Sequence, residues 1–137
     1  MIGNAVFARL ASVSGVTALV GANPSRIYPG VGPENPVYPL VLFNQVSSGQ
    51  ADARGLIGAA KYFRTIQQID IYAATRSQAD ALANAVRAAL DGIESETTWG
   101  GMTIMLSMFD DQFDSGFEPD LNLHRIIQQY RIVYKEA

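Results

Sequence analysis

Apolar and polar residues alternate most clearly between Lys61 and Gly92, where the pattern predicts a long strand that runs directly into a long helix. Within the expected strand, 62–73, the second half alternates strictly, so that one set of side chains points to each face of a sheet. Ile66 falls on the opposite parity to Ile69. We therefore expect either that both faces of this strand are partly covered or that a bulge near Gln67 changes its phase.

The segment after this strand carries the start and stop signals of a helix. Thr75 is a suitable N-cap residue, Gln78 completes a capping box, and Gly92 supplies the left-handed residue that ends the helix. The apolar stripe of this helix consists of Ala79, Leu82, Ala83, Val86 and Leu90. A second row consists of Ala81, Ala85 and Ala88. These alanines either serve only as good helix formers or let a neighbouring subunit approach closely.

The remaining periodic segments predict one further helix and four further strands. The helix is expected at 2–13, followed by a short turn that Ser14 caps and Gly21 stops. The strands are expected at 26–28 (an edge piece, because prolines surround it), 40–46, 102–109 and 123–135.

A short sequence echo relates two of the expected strands. Residues 64–71 resemble residues 125–132, which gives Asp70 and Arg131 equivalent positions with opposite charges. If the two strands were antiparallel neighbours in the right register, these side chains would pair across the sheet.

Three stretches between the periodic segments predict loops. Residues 22–39 hold five of the six prolines and predict a stiff loop, which is either a recognition surface or a well-turned connector. Residues 47–60 are mostly residues with small side chains and include three glycines, which predicts a long, mobile loop. We expect this loop to be an arm that becomes ordered against a partner through Leu56 and Ile57 at its centre. Residues 110–122 predict an acidic loop. Its candidate interface residues are Asp110, Asp111, Asp114 and Glu118.

Composition narrows the range of functions. A chain of 137 residues with 48% hydrophobic content suits one globular domain, 1–137, with a core of its own. The absence of cysteine excludes disulfides and thiolate chemistry, and a net charge of −3 gives no basic footprint for nucleic acid. No apolar run approaches the ~20 residues that cross a bilayer. Arg9 interrupts the only candidate signal sequence, so we expect a soluble protein made in a cytoplasm, without a membrane.

The sequence contains no complete motif for nucleotide binding, calcium binding or nucleophilic catalysis. Gly55 to Lys61 lacks the spacing of a phosphate loop, and no serine stands in a Gly-x-Ser-x-Gly turn. The acidic segment has Ser115 where a calcium loop requires glycine. The single histidine, His124, is expected to be structural. We therefore expect no enzyme activity, no cofactor and no metal site.

Six segments, taken in their order and spacing, carry a family resemblance over nearly the whole chain. They are Val16-Thr-Ala-Leu-Val-Gly21, Arg26-Ile-Tyr-Pro-Gly-Val-Gly-Pro33, Pro39-Leu-Val-Leu-Phe43, Ile69-Asp-Ile-Tyr-Ala73, Ala81-Leu-Ala-Asn-Ala-Val-Arg-Ala-Ala-Leu-Asp91 and Tyr130-Arg-Ile-Val-Tyr134. In these segments the chain resembles the tail completion proteins of long-tailed bacteriophages, which are similar to tail terminators and tail-to-head joining proteins.

The resemblance implies a fold and a role. The expected fold is α+β, a single domain with a mixed, mostly antiparallel sheet of four to five strands flanked by two main helices. The expected protein is a virion component that forms a hexameric ring at the head-proximal end of the tail tube, after assembly in the bacterial host cytoplasm. There it would end tube polymerisation, contact the tail tube protein and the head–tail connector or stopper protein, and let DNA pass through its lumen without specific binding.

Two other roles remain open at this point. The same virion class includes neck or head-completion adaptors of similar fold, and a small ligand-binding module is a further alternative. For a ring, we expect Asp110, Asp111, Asp114 and Glu118 to line the lumen, because like charges repel the DNA backbone.

Overall fold

The structure, a computed structural model, describes residues 2–21, 25–32, 34, 36–50, 61–118 and 123–136. The helices are α1 (Ile2–Ser12), α2 (Ser14–Val20) and α3 (Arg76–Leu90). The strands are β1 (Ile27–Pro29), β2 (Leu40–Gln50), β3 (Lys61–Ala73), β4 (Thr97–Trp99), β5 (Met102–Glu118) and β6 (Leu123–Glu136).

The six strands form one mixed sheet in the order β1-β2-β3-β6-β5-β4. Only β1 and β2 are parallel, and all other neighbouring strands are antiparallel. The expected α+β class and the mostly antiparallel sheet are therefore confirmed, but the expected four to five strands and two main helices were too few.

The additional strand, β4, lies in a segment that the sequence pattern assigned to a connector. Gly100 and Gly101 have φ angles of +56° and +86°, which glycine adopts without strain, and they link β4 to β5 as a two-residue hairpin turn. The turn also packs closely, because a Cβ atom on Gly100 would lie 2.8 Å from the Ala8 Cβ of α1. Three residues are too few to show alternation, so only the Gly-Gly pair signalled this hairpin.

Two strands continue into segments that were expected to be loops. β2 extends to Gln50 and β5 extends to Glu118, so the acidic segment is part of a strand, and the expectation of an acidic loop was wrong. Register shifts interrupt β5 at three places and β2 at one. Each bulge changes the phase of the side chains, so the sequence of the strand lacks the continuous period-two alternation from which a strand is predicted.

The helices cover one surface of the sheet, which we call the helix face. On β3 this face carries an unbroken series of buried residues: Thr65, Gln67, Ile69, Ile71 and Ala73. The bulge therefore lies not on β3 but on β2, where Val46 is the extra residue opposite Gln67 and Ile66. Ile66 is half-buried on the other surface, which we call the open face, so the alternative that both faces are partly covered is confirmed.

The N-cap, the apolar stripe and the end signal of α3 are confirmed. Thr75 is its N-cap, with a hydroxyl that accepts a hydrogen bond from the Gln78 N–H at 3.2 Å, and Gly92 follows its end with φ +79°. Every residue of the predicted apolar stripe is buried. At α2 the expectation was wrong in one detail. Val13 is the N-cap residue, and Ser14 is the first helical residue, with no side-chain cap bond.

The ion pair expected between Asp70 and Arg131 was also wrong. β3 and β6 are antiparallel neighbours, but their register places Asp70 opposite Ile127. Asp70 instead accepts from Arg125 at 3.0 Å, and Arg131 lies 3.7 Å from Asp110. Similar local sequences do not fix a register, because the whole strand length and its buried face decide it.

Candidate assembly surfaces

The acidic residues of β5 do not form one patch, because side chains three residues apart on a regular strand point to opposite faces of the sheet. Asp111 pairs in register with Gln129 on the open face, whereas Asp114 pairs with Ile126 on the helix face. Asp110, which lies at a bulge, is 3.7 Å from Arg131. All three are exposed, and Glu118 is the last residue of the strand.

Asp114 is held at the start of α3. It accepts a hydrogen bond from Arg76, which also donates to Asp80 one helical turn further on. The bond to Asp114 is the main cause that raises the pKa of Arg76, and the bond to Asp80 is the second. Because these groups are exposed, we assign the cluster a role in orienting β5 against α3 rather than in stability.

The end of α3 is joined to β5 by a second carboxylate. Asp91 accepts a hydrogen bond from the Phe109 N–H at 2.8 Å, which is the largest of the causes that lower the pKa of Asp91. Arg87 lies 3.4 Å from the same carboxylate, and its guanidinium carbon lies 4.0 Å from the centroid of the Phe109 ring. The outward N–H of Phe109 is thereby satisfied within the subunit.

A polar network lies beneath α3. The Tyr130 hydroxyl donates to the Gln128 Oε1 at 2.6 Å, and the Gln128 amide donates to the Ala83 carbonyl at 3.1 Å and to Gln112 at 2.9 Å. Burial raises the pKa of Tyr130 above its usual range, so this hydroxyl remains a donor. The network connects β5, β6 and α3 through hydrogen bonds between buried polar groups.

Two clefts open at the surface of the described residues. The larger, of about 530 Å³, lies between the start of α1 and β2, and includes Phe7 and the buried Gln67 in its wall. The smaller, of about 260 Å³, lies beside Tyr38 and Tyr72 on the open face. Neither is lined by a carboxylate, a basic side chain or a histidine. Within the described ranges, no cluster of three His, Cys, Asp or Glu residues could hold a metal ion.

Leu56 and Ile57, the expected centre of an interacting arm, lie outside the described residues. The second helical row is mainly on the surface, with Ala81 and Ala88 exposed and Ala85 half-buried. The contact expected through these alanines remains a prediction.

Comparison with known proteins identifies the family. The model of the family described as Tail completion protein gp17 matches residues 4–135. The chain belongs to this family.

The fold of this tail completion family member also occurs in a solved particle. A chain of a structure titled "Virion of native gene transfer agent (GTA) particle" matches with a TM-score of 0.65 and 21% sequence identity. The match covers 96% of this chain and 92% of that chain. No curated protein matches the sequence.

Two strand edges of this tail completion protein have no described strand beside them. β1 ends at Pro29 opposite Phe43, and no described strand pairs with the outer side of β2 beyond that point. We call residues 44–50 the β2 edge. On β5, β4 pairs only with 102–104, Ile93 bridges to Ser107 and Asp91 takes the Phe109 N–H. We call residues 110–118, which no other described strand covers, the β5 edge.

Each edge also exposes one large apolar side chain. Val46 on the β2 edge is 54% exposed, and Phe113 on the β5 edge is 49% exposed. The sequence pattern predicted neither residue as an exposed edge residue. Val46 gave no signal before its bulge was known, and Phe113 was hidden among acidic neighbours that suggested a loop.

The helices of the described segments give no spanning segment for a membrane. None is long and apolar enough alone, and α1 and α2 meet the criterion only jointly, as a pair bent by 86°.

Proposed function

We propose that this tail completion protein is a structural virion protein that forms a ring at the head-proximal end of the phage tail tube. In this role it ends tube polymerisation and presents the surface on which head and tail join. The observation that carries the proposal is the family match over residues 4–135, which includes nearly all of the helices and of the sheet.

The geometry is consistent with assembly as the main activity. Neither of the two clefts is lined by a carboxylate, a basic side chain or a histidine, whereas no described strand covers the β2 edge or the β5 edge. Unpaired strand edges are templates for association with other chains.

The proposed passage of DNA concerns the open face. Asp110 and Asp111 are exposed on or near this face, whereas Arg76 engages Asp114 on the helix side. Arg131 lies 3.7 Å from Asp110, so our proposal for an electronegative lumen surface depends mainly on Asp111. Carboxylates there would repel the phosphate backbone and allow DNA to pass without binding.

Electron microscopy of particles from a phage or prophage that lacks this gene tests the role directly. Overlong or ragged tails, separate from filled heads, are the result expected for a protein that caps the tube. Tails of normal length that remain unjoined to heads would assign the protein to head–tail joining or to a neck adaptor. Normal infectious particles would overturn the proposal. Complementation with the wild-type gene is the control that restores particles in the first two cases.

A further inference from the structure

We propose that the β5 edge of one copy pairs antiparallel with the β2 edge of the next copy, so that the sheet continues from subunit to subunit. This inference depends on the proposed ring, for which it names the joint. The two edges lie on opposite sides of the same sheet, with β3 and β6 between them. A joint between two different surfaces repeats around a ring and closes it, unlike a joint between two copies of one surface.

The strand directions suit this joint. β2 is antiparallel to β3, β3 to β6 and β6 to β5, so β2 and β5 run in opposite directions within one subunit. Rotation about a ring axis leaves the direction of each strand along that axis unchanged. β5 of one copy therefore meets β2 of the next in the antiparallel sense, which gives well-aligned backbone hydrogen bonds.

The lengths of the two edges also match. At about 3.3 Å per residue, the β2 edge spans roughly 23 Å and the β5 edge roughly 30 Å. β1 covers only the start of β2, and β4 covers only the start of β5. In a ring whose strands are tilted relative to the ring axis, as in a β-barrel, neighbouring copies are offset along the strand direction. This offset lets one copy lay its β5 edge over the whole β2 edge of the next copy without meeting either short strand.

Charge selects the unlike edges. Asp110 and Asp111 make two β5 edges repel each other, whereas the β2 edge contains no charged residue. Behind the β2 edge, Arg64 of β3 is exposed and has no carboxylate partner among the described residues. It lies opposite Gly49, which has no side chain to separate the guanidinium from a strand added beyond β2. A docked β5 edge brings carboxylates toward this arginine.

Engineered cysteines test the joint in assembled particles, because the chain has no cysteine of its own. Particles are made by complementing the gene deletion with V46C/F113C, with each single variant, and with V46C/D111C as a second pair. Purified particles are treated with a short bismaleimide crosslinker and analysed on a denaturing gel with an antibody to this protein.

The expected result is a ladder of two, three and more linked copies from the double variants and no ladder from the single variants. Dimers from one single variant, at the yield of the double variants, would overturn the pairing because they would show that like edges meet. Particles that contain the protein but give no linked products from either pair would also overturn it. Particles in which even the wild-type protein is absent would instead refute the proposed function.

Discussion

Replacing Tyr130 with phenylalanine should lower the free energy of unfolding by about 1–3 kcal/mol, the cost of leaving a buried polar atom without a partner. The Tyr130 hydroxyl is the donor to the Gln128 Oε1, at 2.6 Å, and both side chains are at most 1% exposed. The substitution removes one oxygen atom and leaves the ring, so the loss of apolar packing is small. The change therefore measures the hydrogen bond rather than a cavity.

Urea denaturation followed by circular dichroism measures this change in stability. A double-mutant cycle shows whether the change comes from the hydrogen bond between Tyr130 and Gln128. Q128M removes the acceptor, so Y130F should cost less in the Q128M background than in the wild type. Y134F is the matched control, because Tyr134 lies on the same strand and face and has no described hydrogen bond from its hydroxyl. A loss in Y130F no larger than in Y134F, or a coupling energy near zero, would refute the network.

The same variant has a defined pH dependence. The pKa of Tyr130 is higher in the folded protein than in the unfolded chain, where it is near 10, because burial disfavours the phenolate. The stability from this difference is complete below pH 10 and is lost as the pH rises above it. The free energy of unfolding should therefore fall less steeply above pH 10 in Y130F than in the wild type.

Three further predictions concern the sheet and its edges. D91N should lower the free energy of unfolding by about 1 kcal/mol at pH 7 and flatten the loss of stability below pH 4. The pKa of Asp91 is lower in the folded protein than in the unfolded chain, so the stability it contributes above the unfolded pKa is lost as the pH falls. Acid titration of thermal unfolding checks this, and an unchanged slope in D91N contradicts it. G100A should destabilise the protein by about 1–3 kcal/mol, and by more than G101A, because both glycines have a positive φ but only Gly100 would place a Cβ atom against α1. The urea midpoints of the two variants measure the difference, and equal losses of stability contradict the close contact. R64D and D111R should each weaken the joint by roughly tenfold, the factor that about 1.4 kcal/mol produces, and thereby lower the infectious titre, which the double variant should recover. A double variant no better than either single variant contradicts the charge pairing.

Sequence periodicity predicted the elements whose burial is regular. The stripe on α3 and the alternation of β3 could be read from the residues because one face of each is buried without interruption. The N-cap at Thr75 and the turn at Gly92 depend on local backbone chemistry, and both were predicted correctly.

The features that the sequence did not predict depend on contacts between residues that are distant in the sequence. β5 was cut short at Phe109 because Asp110 to Asp114 have low strand propensity and a bulge breaks their alternation, whereas pairing with β6 holds them in the sheet. The predicted partner of Asp70 was wrong because the register is set along the whole of β3 and β6. The strand edges could not be predicted at all, since an edge is defined by the order of strands.

Different strand ends lie at the two ends of the sheet. β2 and β3 are joined near the end where Lys61 lies opposite Glu136, and β5 and β6 are joined near the end where Ala73 lies opposite His124. A cyclic assembly copies each subunit without inverting it. In any ring whose strands are inclined to its plane, Gln50 and Lys61 of every copy lie toward one rim, and Glu118 and Leu123 of every copy lie toward the other. Such a ring is polar, and its two rims can recognise two different neighbours with a single polypeptide.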